Sequence, residues 1–154
     1  MIVAGEDRAG VARWIVDSNR YMTLGTADAD GLPWVSPVWY APEGYGEFFW
    51  VSSPEARHSR NVALRPPVAI VIFDSGAPVG TGQGLYMRAL AEQVPEAALD
   101  RGIETFSRRS LEQGARAWTL DDVRAPAPHR LYRATASEHA VLGPGDVRLP
   151  VSPA

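Results

Sequence analysis

The stretch "YMTLGTADADGLPWVSPVWYAPEGYGEFFWVSS", residues 21–53, constrains the fold more than any other part of the chain. It is dense in β-branched and aromatic residues and is interrupted at "DADG" and "EGYG". Such runs, bounded by Asp/Gly clusters, read as strands joined by hairpins, because glycine supplies the positive φ that tight turns need. Three strands are expected here. "VAIVIFD" adds the most buried-looking strand, and "LYMRALAEQV" alternates Leu85, Met87, Ala89 and Ala91 against Tyr86, Arg88 and Leu90. "HRLYRATASEHAVLG" adds one or two more before the Gly/Pro-rich tail "GPGDVRLPVSPA". Helical spacing recurs in "EDRAGVARWIVDSN" through Val11, Trp14 and Ile15, and in "PEAALDRGIETFSRRSLEQ" through Leu99, Ile103, Phe106 and Leu111. Strands in succession with a few helices between them predict an α+β, mainly β fold: six to seven antiparallel strands with flanking helices. The length, 154 residues, fits a single domain spanning 1–154.

The chain has no cysteine and no lysine, so all 15 residues of the Lys+Arg count are arginine. Disulfides, thiolate nucleophiles, zinc–thiolate sites and lysine Schiff bases are thereby excluded. A formal charge of -3 argues against a nucleic-acid partner, which calls for a basic excess or stripe. The longest apolar run, Val68 to Phe73, is too short to span a bilayer, and Glu6 and Asp7 interrupt the place a signal peptide would need apolar. A cytoplasmic protein without membrane contact is expected.

Several motifs fail on inspection. "GTGQGL" places Leu85 where a dinucleotide fingerprint needs its third glycine, and a strand follows it rather than a helix. His129 and His139 stand alone in their segments and read as surface or strand-edge histidines. Asp121-Asp122 reads as the start of a short helical turn after Trp118 rather than a catalytic carboxylate pair.

The basic cluster in "SSPEARHSRN" is more informative. Ser53-Pro54 suits an N-cap followed by proline, and Ser52 with Glu55 suits a capping box one residue earlier, so a short helix is expected from Ser52–Pro54 until "RPP" stops it. Arg57, Arg60 and Asn61 fall at i, i+3 and i+4, with His58 beside them. Guanidinium forks at a helix N-terminus suit a phosphate monoester; the alternative is a solvated surface helix. Trp39, Tyr40, Phe49 and Trp50 on the preceding strands supply either a flat apolar wall for a ring or ordinary core and dimer packing.

The order "YMTLGTADADGLPWVSPVWY", "EFFWVSS", "RHSRNVALRPPVAIVIFD", "GLYMRALAEQV" resembles the pyridoxamine-phosphate-oxidase-like split β-barrels, a superfamily of flavin and deazaflavin oxidoreductases. The resemblance implies a split β-barrel and a homodimer with FMN, or a deazaflavin coenzyme, at the interface, acting on a small-molecule substrate. By position it assigns Pro37, Val38, Trp39, Trp50, Val51 and Ser52 to the ring and ribityl chain, and Arg57, His58, Arg60 and Asn61 to the phosphate. Gln83 falls near a glutamine that often contacts the flavin. His58 departs from the Lys or Arg frequent at its position, and the C-terminal Arg-and-His substrate signature of a pyridoxamine phosphate oxidase is missing. The implied function is an FMN-dependent oxidoreductase. A deazaflavin would need further cations, for which Arg88 and "HRLYR" are the candidates, and a non-catalytic barrel binding flavin or haem would use His58, His129 or His139 for iron.

Overall fold

The computed structural model describes residues 7–154; residues 1–6, on which part of the leader argument rests, lie outside them. The chain folds as α1 (Arg8–Ser18), β1 (Tyr21–Ala27), β2 (Pro33–Trp39), β3 (Ala41–Glu43), β4 (Glu47–Ser52), α2 (Arg57–Leu64), β5 (Pro67–Phe73), β6 (Gly84–Gln93), α3 (Glu96–Glu112), β7 (Arg130–Leu142) and β8 (Arg148–Pro150). Two 3₁₀ turns, Leu120–Val123 and Pro144–Asp146, join the later elements. No helix among the described residues is long and apolar enough to cross a membrane.

The strands form one antiparallel sheet in the order β2-β1-β5-β6-β7-β4-β3, with β8 added to the end of β7. The strand total exceeds the expectation because β3 and β8 are three-residue strands, too short to leave a periodic signal in sequence. The sheet curls but does not close. β2 pairs only with β1, while β4 pairs with β3 and β7, and β2 approaches β4 without a ladder between them. This gap is the split of a half-barrel.

Two apolar cores explain why the sheet curls. Inside it, Met22, Leu24, Tyr40, Phe48, Trp50, Ile70, Ile72 and Leu85 pack with Ala12, Ile15 and Val16 of α1. Outside it, Phe49 and Leu131 meet Leu99, Ile103 and Phe106 of α3. β4 lies between the cores, so Phe48, Phe49 and Trp50 are buried in succession rather than in alternation. The stripe expected on α1 is narrower than its spacing implied, since Trp14 is 55% exposed, and Leu111 likewise turns outward from α3.

α1 is anchored at both ends. Asp7 caps it by accepting the Gly10 N–H at 3.0 Å. At its far end the buried Tyr40 hydroxyl donates to the Val16 carbonyl at 2.7 Å, with the Asn19 carbonyl at 3.2 Å. These carbonyls belong to the last turn and its exit, where helices lack internal partners. Tyr40→Phe is expected to lower stability by about 1–3 kcal/mol, the cost of leaving a buried acceptor without its donor. Urea denaturation with an unchanged slope is the check.

Candidate functional site

A cleft of about 620 Å³ opens at the split. Pro37, Val38 and Trp39 of β2, Val51 and Ser52 of β4 and His58 of α2 line it. Six positions singled out in the sequence therefore converge on one concavity. They can do so because no strand pairs with the free edge of β2.

α2 begins at Arg57, three residues or more later than expected, and Ala56 at its N-cap offers no side-chain hydrogen bond. Ser53 builds a turn instead: its hydroxyl accepts the Glu55 N–H at 3.1 Å and its carbonyl accepts the Ala56 N–H at 3.1 Å. Ser52 Oγ is engaged by His58 Nε2 at 2.6 Å, so neither serine caps the helix. The later start places Arg57 and His58 in the first turn, whose N–H groups have no side-chain cap.

The remaining expected residues behave differently. Arg57 is exposed, with its guanidinium 4.2 Å from the centroid of the Trp34 ring. Arg60 pairs with Glu55 at 2.7 Å. Asn61 is 4% exposed and donates through Nδ2 to Thr26 Oγ1 at 3.0 Å, so its amide ties α2 to β1 rather than facing an external phosphate. Trp50 stacks on Tyr132 inside the half-barrel, with centroids 5.7 Å apart, and its side chain does not reach the cleft. Tyr40 and Phe49 are likewise core residues, which leaves Trp39 as the one cleft wall among the aromatics first considered. Gln83 lies outside the cleft lining, ahead of β6, with a buried Oε1 that meets no donor.

The structure adds residues that sequence reasoning did not assign. Phe106 of α3 and Trp118 beyond it complete an aromatic wall: Phe106 stands edge-on to Trp39 at 4.9 Å and to Trp118 at 5.2 Å. Trp39 Nε1 donates to Gln113 Oε1 at 2.7 Å and joins β2 to the end of α3. Arg20, Arg116 and His129 also line the cleft. Arg116 lies 3.7 Å from the Trp118 ring centroid and 3.3 Å from Asp122. Asp121-Asp122 opens a 3₁₀ turn, as expected, with Asp122 capping Thr119. The one sequence signal for this wall was Trp118 next to the end of an amphipathic helix; the contact with Trp39 joins segments 74 residues apart at the Gln113 bond.

The electrostatics are one-sided. Among the described residues no Asp or Glu lines the cleft, although the chain carries a net charge of -3. Arg8, Arg20, Arg57 and Arg108 differ from the other arginines in meeting no acceptor among the described residues. Two of these stand at the cleft or beside it. A larger depression of about 960 Å³ lies over the outer face of β1, β5 and β6 against the C-terminal residues; Arg88 and His139, weighed above for a deazaflavin tail and for iron, line it, whereas none of the residues assigned to FMN does. Among the described residues no cluster of three His, Cys, Asp or Glu is placed to hold a metal.

Burial pushes the His58 pKa below the usual 6.5. The unfolded chain then binds this proton more readily than the folded one, so the contribution of neutral His58 is present above about pH 6.5 and is lost as the pH falls. The melting temperature is expected to fall on acidification from about pH 7.5 to 5.5, and His58→Gln to flatten that part of the profile.

The family model described as pyridoxamine 5'-phosphate oxidase matches residues 11–142. No curated protein matches the chain. Among solved structures, the heme storage protein HutZ from Vibrio cholerae is 21% identical, with a TM-score of 0.65 over 86% of this chain and 91% of that one. A heme binding protein from Mycobacterium smegmatis is 21% identical, with a TM-score of 0.71 over 98% of this chain and 60% of its own length. An F420 reductase is 21% identical, with a TM-score of 0.57 over 79% of this chain and 89% of that one. These likenesses concern the fold. With its split half-barrel and the family match across most of its length, the chain belongs to the pyridoxamine 5'-phosphate oxidase family.

Proposed function

We propose that the protein is an FMN-dependent oxidoreductase acting as a homodimer on a small-molecule substrate. The observation that carries this reading is the convergence of Pro37, Val38, Trp39, Val51, Ser52 and His58 on one cleft that no carboxylate of the described residues lines. Its residues fit a flavin phosphate and ring: Arg57 has no acceptor of its own, the first turn of α2 has no side-chain cap, and Trp39 offers an apolar face. Bound there, the flavin would supply hydride or electron transfer. The chain's own groups hold and orient: Arg57 at the phosphate, Arg60 once released from Glu55, and Ser52 with His58 beside the ribityl chain. Asn61 supports this array through its bond to Thr26.

FMN is favoured over a deazaflavin with a longer anionic tail because the extra cations already have acceptors, Arg130 on the Ala127 and His129 carbonyls and the others on carboxylates. Arg88 faces Glu138 at 3.4 Å, and Arg133 faces Glu92 at 2.7 Å. A second copy is supported by apolar side chains left on the outer sheet face, with Tyr21, Val35 and Phe73 each half or more exposed.

Arg57→Ala is expected to weaken FMN by about ten- to a hundredfold, the worth of a charge-assisted hydrogen bond, while riboflavin changes little. Arg60→Ala should cost less, because Glu55 competes for its guanidinium. Fluorescence titration with both ligands decides: equal losses for FMN and riboflavin would refute the phosphate assignment.

Haem binding is a second reading, favoured by one observation. His58 Nε2 meets Ser52 and His139 Nε2 meets the Tyr45 carbonyl at 2.8 Å, whereas His129 lines the cleft with no hydrogen bond to its ring among the described residues. On this reading haemin gives a Soret band that shifts in His129→Ala; an unchanged band would remove it.

A further inference from the structure

We propose that the α3 end of the cleft is a substrate subsite for a planar aromatic monocarboxylate, with Arg20 as the residue that binds its carboxylate. The inference rests on the flavin reading in one respect: the substrate must lie next to the ring held by β2 and β4.

Arg20 is placed by backbone. It directly precedes Tyr21, which pairs with Trp39 across β1 and β2, and its carbonyl accepts the Tyr40 N–H at 3.2 Å. Arg20 is exposed and lines the cleft together with Tyr21 and Trp39. No carboxylate or carbonyl of the described residues accepts from it, and none of the described acids lines its cavity. A planar fork with free donors matches the two oxygens of a carboxylate.

The charge balance selects a monoanion. Arg116, the other arginine of the lining, is neutralised by Asp122 and covers Trp118. His58, also in the lining, has its pair to Ser52 already made. His129 and Tyr21 are the remaining titratable groups of the lining. One unopposed permanent cation thus faces the α3 end, enough for one carboxylate.

The wall selects a flat apolar body. Trp39 and Trp118 stand perpendicular to Phe106 at interplanar angles of 89° and 84°, and the three rings line the same cleft as Arg20. Gln113, fixed by Trp39 Nε1, bounds that surface. An aliphatic acid would satisfy Arg20 but leave the rings uncovered; a neutral aromatic would do the reverse.

Benzoate, benzamide and acetate are the probes, titrated against the tryptophan fluorescence of the protein with and without FMN. Benzoate is expected to saturate, with benzamide and acetate each about tenfold or more weaker, the worth of the group that each lacks. Arg20→Gln should lower benzoate affinity by about tenfold while leaving benzamide, FMN and the melting temperature unchanged. Arg20→Lys, which keeps the charge but not the fork, should recover part of the benzoate affinity. Equal binding of benzoate and benzamide, or benzoate binding indifferent to both substitutions, overturns the proposal. If benzoate binds through Arg20 but FMN does not bind at all, the subsite stands and the flavin reading falls; if FMN binds and benzoate does not, the reverse holds.

Discussion

One edge of the sheet is left without a hydrogen-bonding partner, and the site follows from that edge. β2 receives its ladder from β1 alone, and it approaches β4 without a ladder. A closed ladder would seal the barrel and remove the cleft. An edge strand exposes backbone and invites pairing with other chains, a hazard that proline blunts. β2 carries prolines at positions 33 and 37. The same strand thus limits unwanted pairing and offers Pro37, Val38 and Trp39 to a ligand.

Holding the split open requires support from both faces. The inner core ties β1, β5 and β6 to α1, and the outer core ties β4 and β7 to α3. β7, with 13 residues, pairs with β6, β4 and β8 and joins the two halves of the sheet. Across the gap itself, the bond from Trp39 to Gln113 and the Trp39–Phe106–Trp118 contacts link β2 to the end of α3. The cleft is therefore built from the joint that closes the molecule at this end. Its positive character comes from omission: apart from Asp122 on Arg116, the acids pair arginines outside the lining, and none of the described acids lines the cleft.

Much of this was legible in the sequence, and the gaps have physical causes. Alternation and turn chemistry located β1, β2, β4, β5 and β6 because period-2 patterns and glycine turns are local properties. The start of α2 was misplaced because serine followed by proline and glutamate encodes both an N-cap and a serine turn, and only the tertiary bond from Ser52 to His58 decides between them. Asn61 and Trp50 resembled cleft residues from their positions, yet one is spent on Thr26 and the other on Tyr132. Neither partner can be read from helical or strand spacing. Arg20, Gln113 and Trp118 escaped notice because their contribution depends on how α3 and β1 meet β2 in space.

The central claim is that ligand enters at the split, against Trp39. The most direct test is the indole N–H spectrum of protein labelled with nitrogen-15 at its 5 tryptophans, recorded during titration with FMN. Trp39, bonded to Gln113 at the cleft, is predicted to shift most, with Trp118 following, while Trp14, exposed on α1 and outside the cleft lining, stays fixed. A titration that moves Trp14 and leaves Trp39 in place would contradict the account and put the ligand elsewhere on the molecule.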